Sequence, residues 1–121
     1  MIKGVGIDLI EVERVANVLE RRRRRFLKRV FTPREIEECG QAVHRLAGRF
    51  AAKEALLKAL GTGLRGLKWR DIEVNNNELG APYFHFSEQL ALYLQEAGVK
   101  RTHLTISHSK NYAVAQVILE G

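Results

Sequence analysis

The stretch Arg49 to Gly63, RFAAKEALLKALGTG, most narrows what this chain can fold into. Alanine, leucine, lysine and glutamate are strong helix formers, so Arg49 to Leu60 is predicted to be a helix, with Gly61 as its natural stop. One acid, Glu54, stands there among alanines, leucines and basic residues. A second isolated acid, Asp8, is expected to end the glycine-bearing strand GVGIDL. Val5, Ile7 and Leu9 alternate with Gly4, Gly6 and Asp8, the period-two pattern of a strand with one buried face. On this reading the apolar residues pack inward. The bare glycine face leaves room for a backbone or a ligand, with Asp8 its only functional group. Two distant carboxylates near cationic side chains suggest a divalent metal with a phosphate-rich ligand.

The remaining elements follow from local signals. A helix is expected from about Val12, with Val12, Val15, Ala16 and Leu19 as its apolar stripe and Arg14, Arg21 and Arg25 on another side. Thr32-Pro33-Arg34-Glu35 is a capping box with proline at the first helical position. The helix it starts is expected to run into the mid-forties, loosened near Gly40. Asp71 to Val74 and Tyr83 to Phe86 read as strands, Ser87 caps a helix closed by Gly98, and Leu104 to Ser107 and Tyr112 to Leu119 finish as strands. Residues 1–121 are expected to form a single domain of α+β class, since strands and helices interleave irregularly.

Composition limits the partners. The chain carries a formal charge of +6, and five consecutive arginines, Arg21 to Arg25, hold much of it. A basic surface favours a polyanionic partner but does not choose among nucleic acid, acidic protein and phosphorylated small molecule. An RNA-binding reading leaves Asp8 and Glu54 unexplained, and aromatic residues at 7% are too few for base stacking. No nucleic-acid role is expected. No apolar run approaches the roughly 20 residues of a spanning helix, and Asp8 and Glu11 interrupt the N-terminus too early for a signal peptide. The expectation is a soluble, cytoplasmic protein without membrane contact. Its one cysteine, Cys39, permits no internal disulfide and reads as a packing residue.

Each candidate site has a plain alternative. Glu54 and Lys58, four apart on a helix, are either a surface ion pair or a metal ligand and a phosphate contact on one face. Asp8 is either a metal ligand or a cap for the following helix. Gly61-Thr62-Gly63 follows a helix, where the dipole repels phosphate. It is thus a helix terminator, or a loop whose amides assist nearby cations. Ser107-His108-Ser109 lacks a nucleophile elbow, so it is structural or binds phosphate or ribose. The arginines are a solvated face, or a surface awaiting negative charge because they repel one another.

Taken together, GIDLIEVERV, GRFAAKEALLKALGTG, GAPY and SHSKNYAVAQV resemble the holo-[acyl-carrier-protein] synthases, the short bacterial type of 4′-phosphopantetheinyl transferase. The resemblance spans nearly the whole chain in order. Ala81 stands where the family commonly has lysine, and the arginine run is denser than is usual there. The resemblance implies the 4′-phosphopantetheinyl transferase fold, a small antiparallel sheet packed with helices. It implies transfer of the phosphopantetheine arm of coenzyme A to a serine of apo-acyl carrier protein, releasing adenosine 3′,5′-bisphosphate. Asp8 and Glu54 match the metal-binding acids, with Mg²⁺ expected and Mn²⁺ able to replace it. Lys58 matches the lysine beside the pyrophosphate. Arg49, Gly61, Thr62, Gly63, Ser107 and His108, with the flanking Ser109, match regions lining the coenzyme A cleft. Arg14, Arg21, Arg22, Arg24 and Arg25 become candidates for docking the acidic carrier. The general base is Asp8 or Glu54, acting directly or through a water. A homotrimer with clefts between subunits is implied, so His108 and its serines can serve acids of another chain.

Overall fold

The computed structural model describes Met1–Gly121. Strand β1 (Ile2–Glu11) leads into α1 (Val12–Val30), α2 (Pro33–Cys39) and α3 (Val43–Leu60). The hairpin β2 (Ile72–Asn76) and β3 (Pro82–Phe86), then α4 (Glu88–Glu96), β4 (Arg101–His108) and β5 (Tyr112–Glu120) complete the chain. β1, β5 and β4 form one antiparallel sheet in that order, and β2–β3 is a separate hairpin. The α+β class is as expected.

The inner face of the large sheet rests on α3. Gly4 and Gly6 make this contact so close that an added Cβ would lie 2.2 Å from the Ala59 carbonyl oxygen and 1.9 Å from that of Ala55. Ala115, Val117 and Leu119 of β5 extend the same buried layer with Ala51, Ala55 and Leu56 of α3. A second core joins Val15 and Leu19 of α1 to Phe31, Cys39, Leu46 and Ala47. Cys39 is buried, as its packing role requires.

This arrangement reverses the sequence reading of β1. The glycine face is the buried one, while Val5, Ile7 and Leu9 are 56%, 58% and 64% exposed. Alternation separates two faces, but only a distant helix decides which is covered. Asp8 also lies within the strand rather than at its end, paired in register with Ala115.

The helix boundaries differ as well. Gly40, at φ +57°, ends α2, because this left-handed backbone is easy only for glycine. α3 then begins at Val43 rather than Arg49 and runs unbroken to Gly61, itself left-handed at φ +76°. Gly48 does not interrupt it, and an added Cβ there would sit 3.0 Å from the Ile106 side chain. α1 bends at Arg22 (φ −145°, ψ 45°), in the middle of the arginine run, where like charges weigh against a straight helix.

The predicted Thr32–Glu35 capping box forms, and Glu35 does more than cap. Its Oε1 accepts from Lys53 Nζ at 2.6 Å, its Oε2 accepts from the Val74 amide at 2.9 Å, and neither side chain has exposed surface. Lys53 Nζ also donates to the Val30 carbonyl at 2.6 Å. Burial pulls the Lys53 ammonium below its ordinary pKa, against the opposing pull of Glu35. One buried pair thereby ties the end of α1, the start of α2 and strand β2 to α3.

Candidate active site

Asp8 points from the inner face of β1 toward α3. There Lys58 Nζ donates to Asp8 Oδ1 at 2.9 Å and to the Ile7 carbonyl at 3.2 Å. Of the two readings of Glu54 and Lys58, the ion pair between them does not form, because the lysine reaches across to the strand instead. Glu54 lies one turn earlier on the same helical face, and its carboxylate takes part in no hydrogen bond or ion pair. Its carboxyl is raised above its ordinary pKa by burial first and by the negative charge of Asp8 second, with Lys58 pulling the other way. Asp8 is not a helix cap, since α1 is entered through Glu11 without a side-chain cap.

These three groups line one cavity of about 390 Å³ together with Arg14. Val15, Val18, Phe26 and Phe50 form its apolar wall. The cavity therefore pairs two hard oxygen donors and two cations with a dry side. Mg²⁺ binds through one or two carboxylates and completes its octahedron with substrate phosphate and water. Two carboxylates facing one space suit such an ion. The donor set fits, and would be completed by a phosphate-bearing ligand.

A second cavity, of about 230 Å³, is lined by His44, Arg45, Arg49 and His108, with Asn76 and Pro82 opposite. The rings of His44 and His108 lie 4.7 Å apart. Arg49 is buried, donating to Cys39 Sγ, Glu38 Oε2 (2.9 Å) and Asn76 Oδ1 (2.8 Å). Burial raises the Cys39 thiol pKa against the pull of Arg49. The guanidinium thus organises the cavity wall and has few donors left for a ligand.

The other candidates are dispersed. Ser107 and His108 are strand neighbours and point to opposite faces. His108 lies opposite buried Ala113, whereas Ser107 pairs with Val114 on the outer face. Ser109 Oγ accepts from the Tyr112 amide, closing the β4–β5 turn. Gly61 and Gly63 hold left-handed conformations after α3, and Thr62 Oγ accepts from the Tyr93 hydroxyl at 3.3 Å. That loop lines neither cavity. Arg21, Arg22, Arg24 and Arg25 are exposed and form no ion pair. Arg24 faces a separate groove beside Lys28 and Arg70, so the arginines do not share one side of α1.

His44 and Arg45 of this cavity carry no site signal in the sequence. With Arg49 they fall at i, i+1 and i+5 on one helix, a pattern hidden when the helix is taken to start at Arg49. The apolar wall of Val18, Phe26 and Phe50 carried no local signal.

Residues 4–117 match the 4′-phosphopantetheinyl transferase superfamily. The holo-[acyl-carrier-protein] synthase of Koribacter versatilis is 49% identical, over 99% of each chain. That of Halothermothrix orenii is 43% identical, over 99% of this chain and 98% of its own. The crystal structure of the Neisseria meningitidis synthase superposes with a TM-score of 0.94 at 36% identity, covering both chains fully. The Helicobacter pylori synthase, solved in complex with coenzyme A, gives 0.88 at 30% identity, over 96% of this chain and 99% of its own. A cavity of paired acids and a lysine, on a fold shared end to end with these enzymes, places the chain in the holo-[acyl-carrier-protein] synthase family of 4′-phosphopantetheinyl transferases.

Proposed function

We propose that residues 1–121 act as one transferase domain that moves 4′-phosphopantetheine from coenzyme A to a serine of apo-acyl carrier protein. The observation that carries this is the convergence of Asp8, Glu54, Lys58 and Arg14 in one cavity, in a member of this family. The serine oxygen bonds to the phosphorus bearing pantetheine, the bond to the adenylate phosphate breaks, and adenosine 3′,5′-bisphosphate leaves. Mg²⁺, or Mn²⁺ in its place, held by Asp8 and Glu54, would supply positive charge to the pyrophosphate. Lys58 adds cationic character where charge develops on the leaving group, and Arg14, proposed for carrier docking, lies at the same cavity. Glu54, whose carboxylate makes no hydrogen bond within the protein, is the proposed acceptor for the serine proton. The cytoplasm is the proposed location, and no helix is long and apolar enough to cross a membrane.

Intact-mass analysis of apo-carrier incubated with protein, coenzyme A and Mg²⁺ tests the reaction. A gain of about 340 Da, one covalently transferred phosphopantetheine group, is expected and should vanish with EDTA. Glu54→Gln should lower transfer about a hundredfold or more, given the usual contribution of general bases, while carrier binding persists. Equal loss of carrier binding would reject the assignment.

The exposed arginines support docking of an acidic carrier. Arg21→Ala and Arg25→Ala lie outside the acid cavity and should raise the carrier KM about threefold each at low salt, leaving the coenzyme A KM unchanged. Added salt should shrink the difference. A carrier KM unmoved at low salt would remove these residues from the interface.

The outer sheet face supports a homotrimer with sites between subunits. Val5, Ile7 and Leu9 are exposed in a row, facing the same way as Val114 and Ile118 by register, an apolar patch of the kind that marks an interface. Ser107 lies on that side as well. Light scattering should give three times the 13.8 kDa chain mass. Ile7→Glu should yield monomers with little transfer activity, and a wild-type monomer would refute the assembly.

A further inference from the structure

We propose that Lys58 is an exchangeable stand-in cation: it neutralises Asp8 until a divalent metal takes that carboxylate, and is then released to the phosphate of the ligand. The inference rests on the metal reading above and adds a coupling between the two ligands. Its basis is the partner the lysine has chosen. A helical lysine four residues after a glutamate is within reach of it, yet Lys58 Nζ bonds Asp8 Oδ1 and the Ile7 carbonyl on β1. The Asp8 side chain is 15% exposed and that of Lys58 is 54% exposed. The carboxylate is therefore held in place, while the ammonium sits on a flexible stem with free space to move.

A small divalent cation and an ammonium compete for the same oxygen, and the dication has the stronger attraction. The ammonium is more than half exposed, so water can take it up as the dication replaces it on the carboxylate. Once displaced, Lys58 has only Glu54 as a neighbouring acid in the cavity, and Glu54 belongs to the same metal site. The freed ammonium is then available to an arriving pyrophosphate. Arg14 is the other cation facing this space. Metal and coenzyme A should each strengthen the binding of the other, and Lys58 should carry part of that coupling beyond the direct metal–phosphate contact.

Mn²⁺ binding, read by electron paramagnetic resonance with and without coenzyme A and corrected for Mn²⁺–coenzyme A pairing in solution, tests this without turnover. In the wild type, coenzyme A should tighten Mn²⁺ about tenfold, and Mn²⁺ should tighten coenzyme A equally by calorimetry. In Lys58→Met and Lys58→Gln, Mn²⁺ alone should bind about threefold tighter, and the coupling should fall to about threefold or less. Coupling equal to wild type in both variants, or Mn²⁺ alone binding no tighter, would overturn the exchange. Asp8→Asn separates the two levels. Mn²⁺ bound through Asp8 with unaltered coupling defeats only the exchange. No Mn²⁺ bound by the wild type with coenzyme A present, or no loss in Asp8→Asn, defeats the metal reading and the exchange with it.

Discussion

Glu35→Ala is expected to destabilise the fold by about 3–5 kcal/mol, the cost of breaking a buried ion pair by removing one partner. The truncation strands three donors. Lys53 Nζ, fully buried, keeps the Val30 carbonyl but loses its counter-charge, and the amides of Thr32 and Val74 lose their acceptors. Each element they anchor meets α3 at this point, so the loss should be cooperative rather than local. Urea denaturation at neutral pH measures it. The double variant Glu35→Leu/Lys53→Met should recover part of the stability, since it removes both charges together, but not all, because the two amides stay unpaired. A loss under about 1 kcal/mol for Glu35→Ala, the level of a surface pair, would show that the pair is not the knot described.

Gly6→Ala is expected to be the most damaging single-methyl change in the chain. The new Cβ would fall 1.9 Å from the Ala55 carbonyl oxygen and 2.7 Å from the Ala59 amide nitrogen. Both are helix backbone and cannot turn aside as a side chain would. Away from a contact, alanine is better than glycine in a strand, so a measured loss reports the clash alone. Overpacking of this kind costs about 1–3 kcal/mol or more. The larger effect should be on transfer, because β1 must lift from α3 and carry Asp8 away from Glu54 and Lys58. Turnover measured well below the melting temperature should drop at least tenfold, as misplacement of about 1 Å is enough for a larger loss. Near-normal turnover in a folded Gly6→Ala protein would mean that the strand–helix spacing does not set the site.

Part of the candidate site is legible from residue type. Asp8 and Glu54 stood out because isolated acids on apolar elements do nothing for a core, and both line one cavity. The Thr32–Glu35 box, the Ser87 cap and the Gly61 stop were readable because each depends on residues within one helical turn. Cys39 was read as packing and is buried. Less was legible where partners come from afar. Nothing near Lys53 in sequence announces Glu35, and the same helix sends Lys53 into the core and Lys58 to the surface. His44 and Arg45 were hidden by a misplaced helix start, since Gly40 and Gly48 look alike in sequence, yet only Gly40 leaves the helix.

By itself the sequence determined the kinds and order of the main elements, the helix ends at Thr32, Ser87 and Gly61, and the candidate acids and cations. All of these follow from short-range periodicity and from side-chain chemistry. The tertiary structure alone decided which face of β1 is covered, which acid Lys58 bonds and how the candidates divide between two cavities. The physical reason is that burial and ion pairing are settled between chain segments distant in sequence. A strand with glycines on one side and valine, isoleucine and leucine on the other can be covered on either face. Here α3 approaches close enough to exclude a Cβ, so the glycines face it and the larger side chains are left outside.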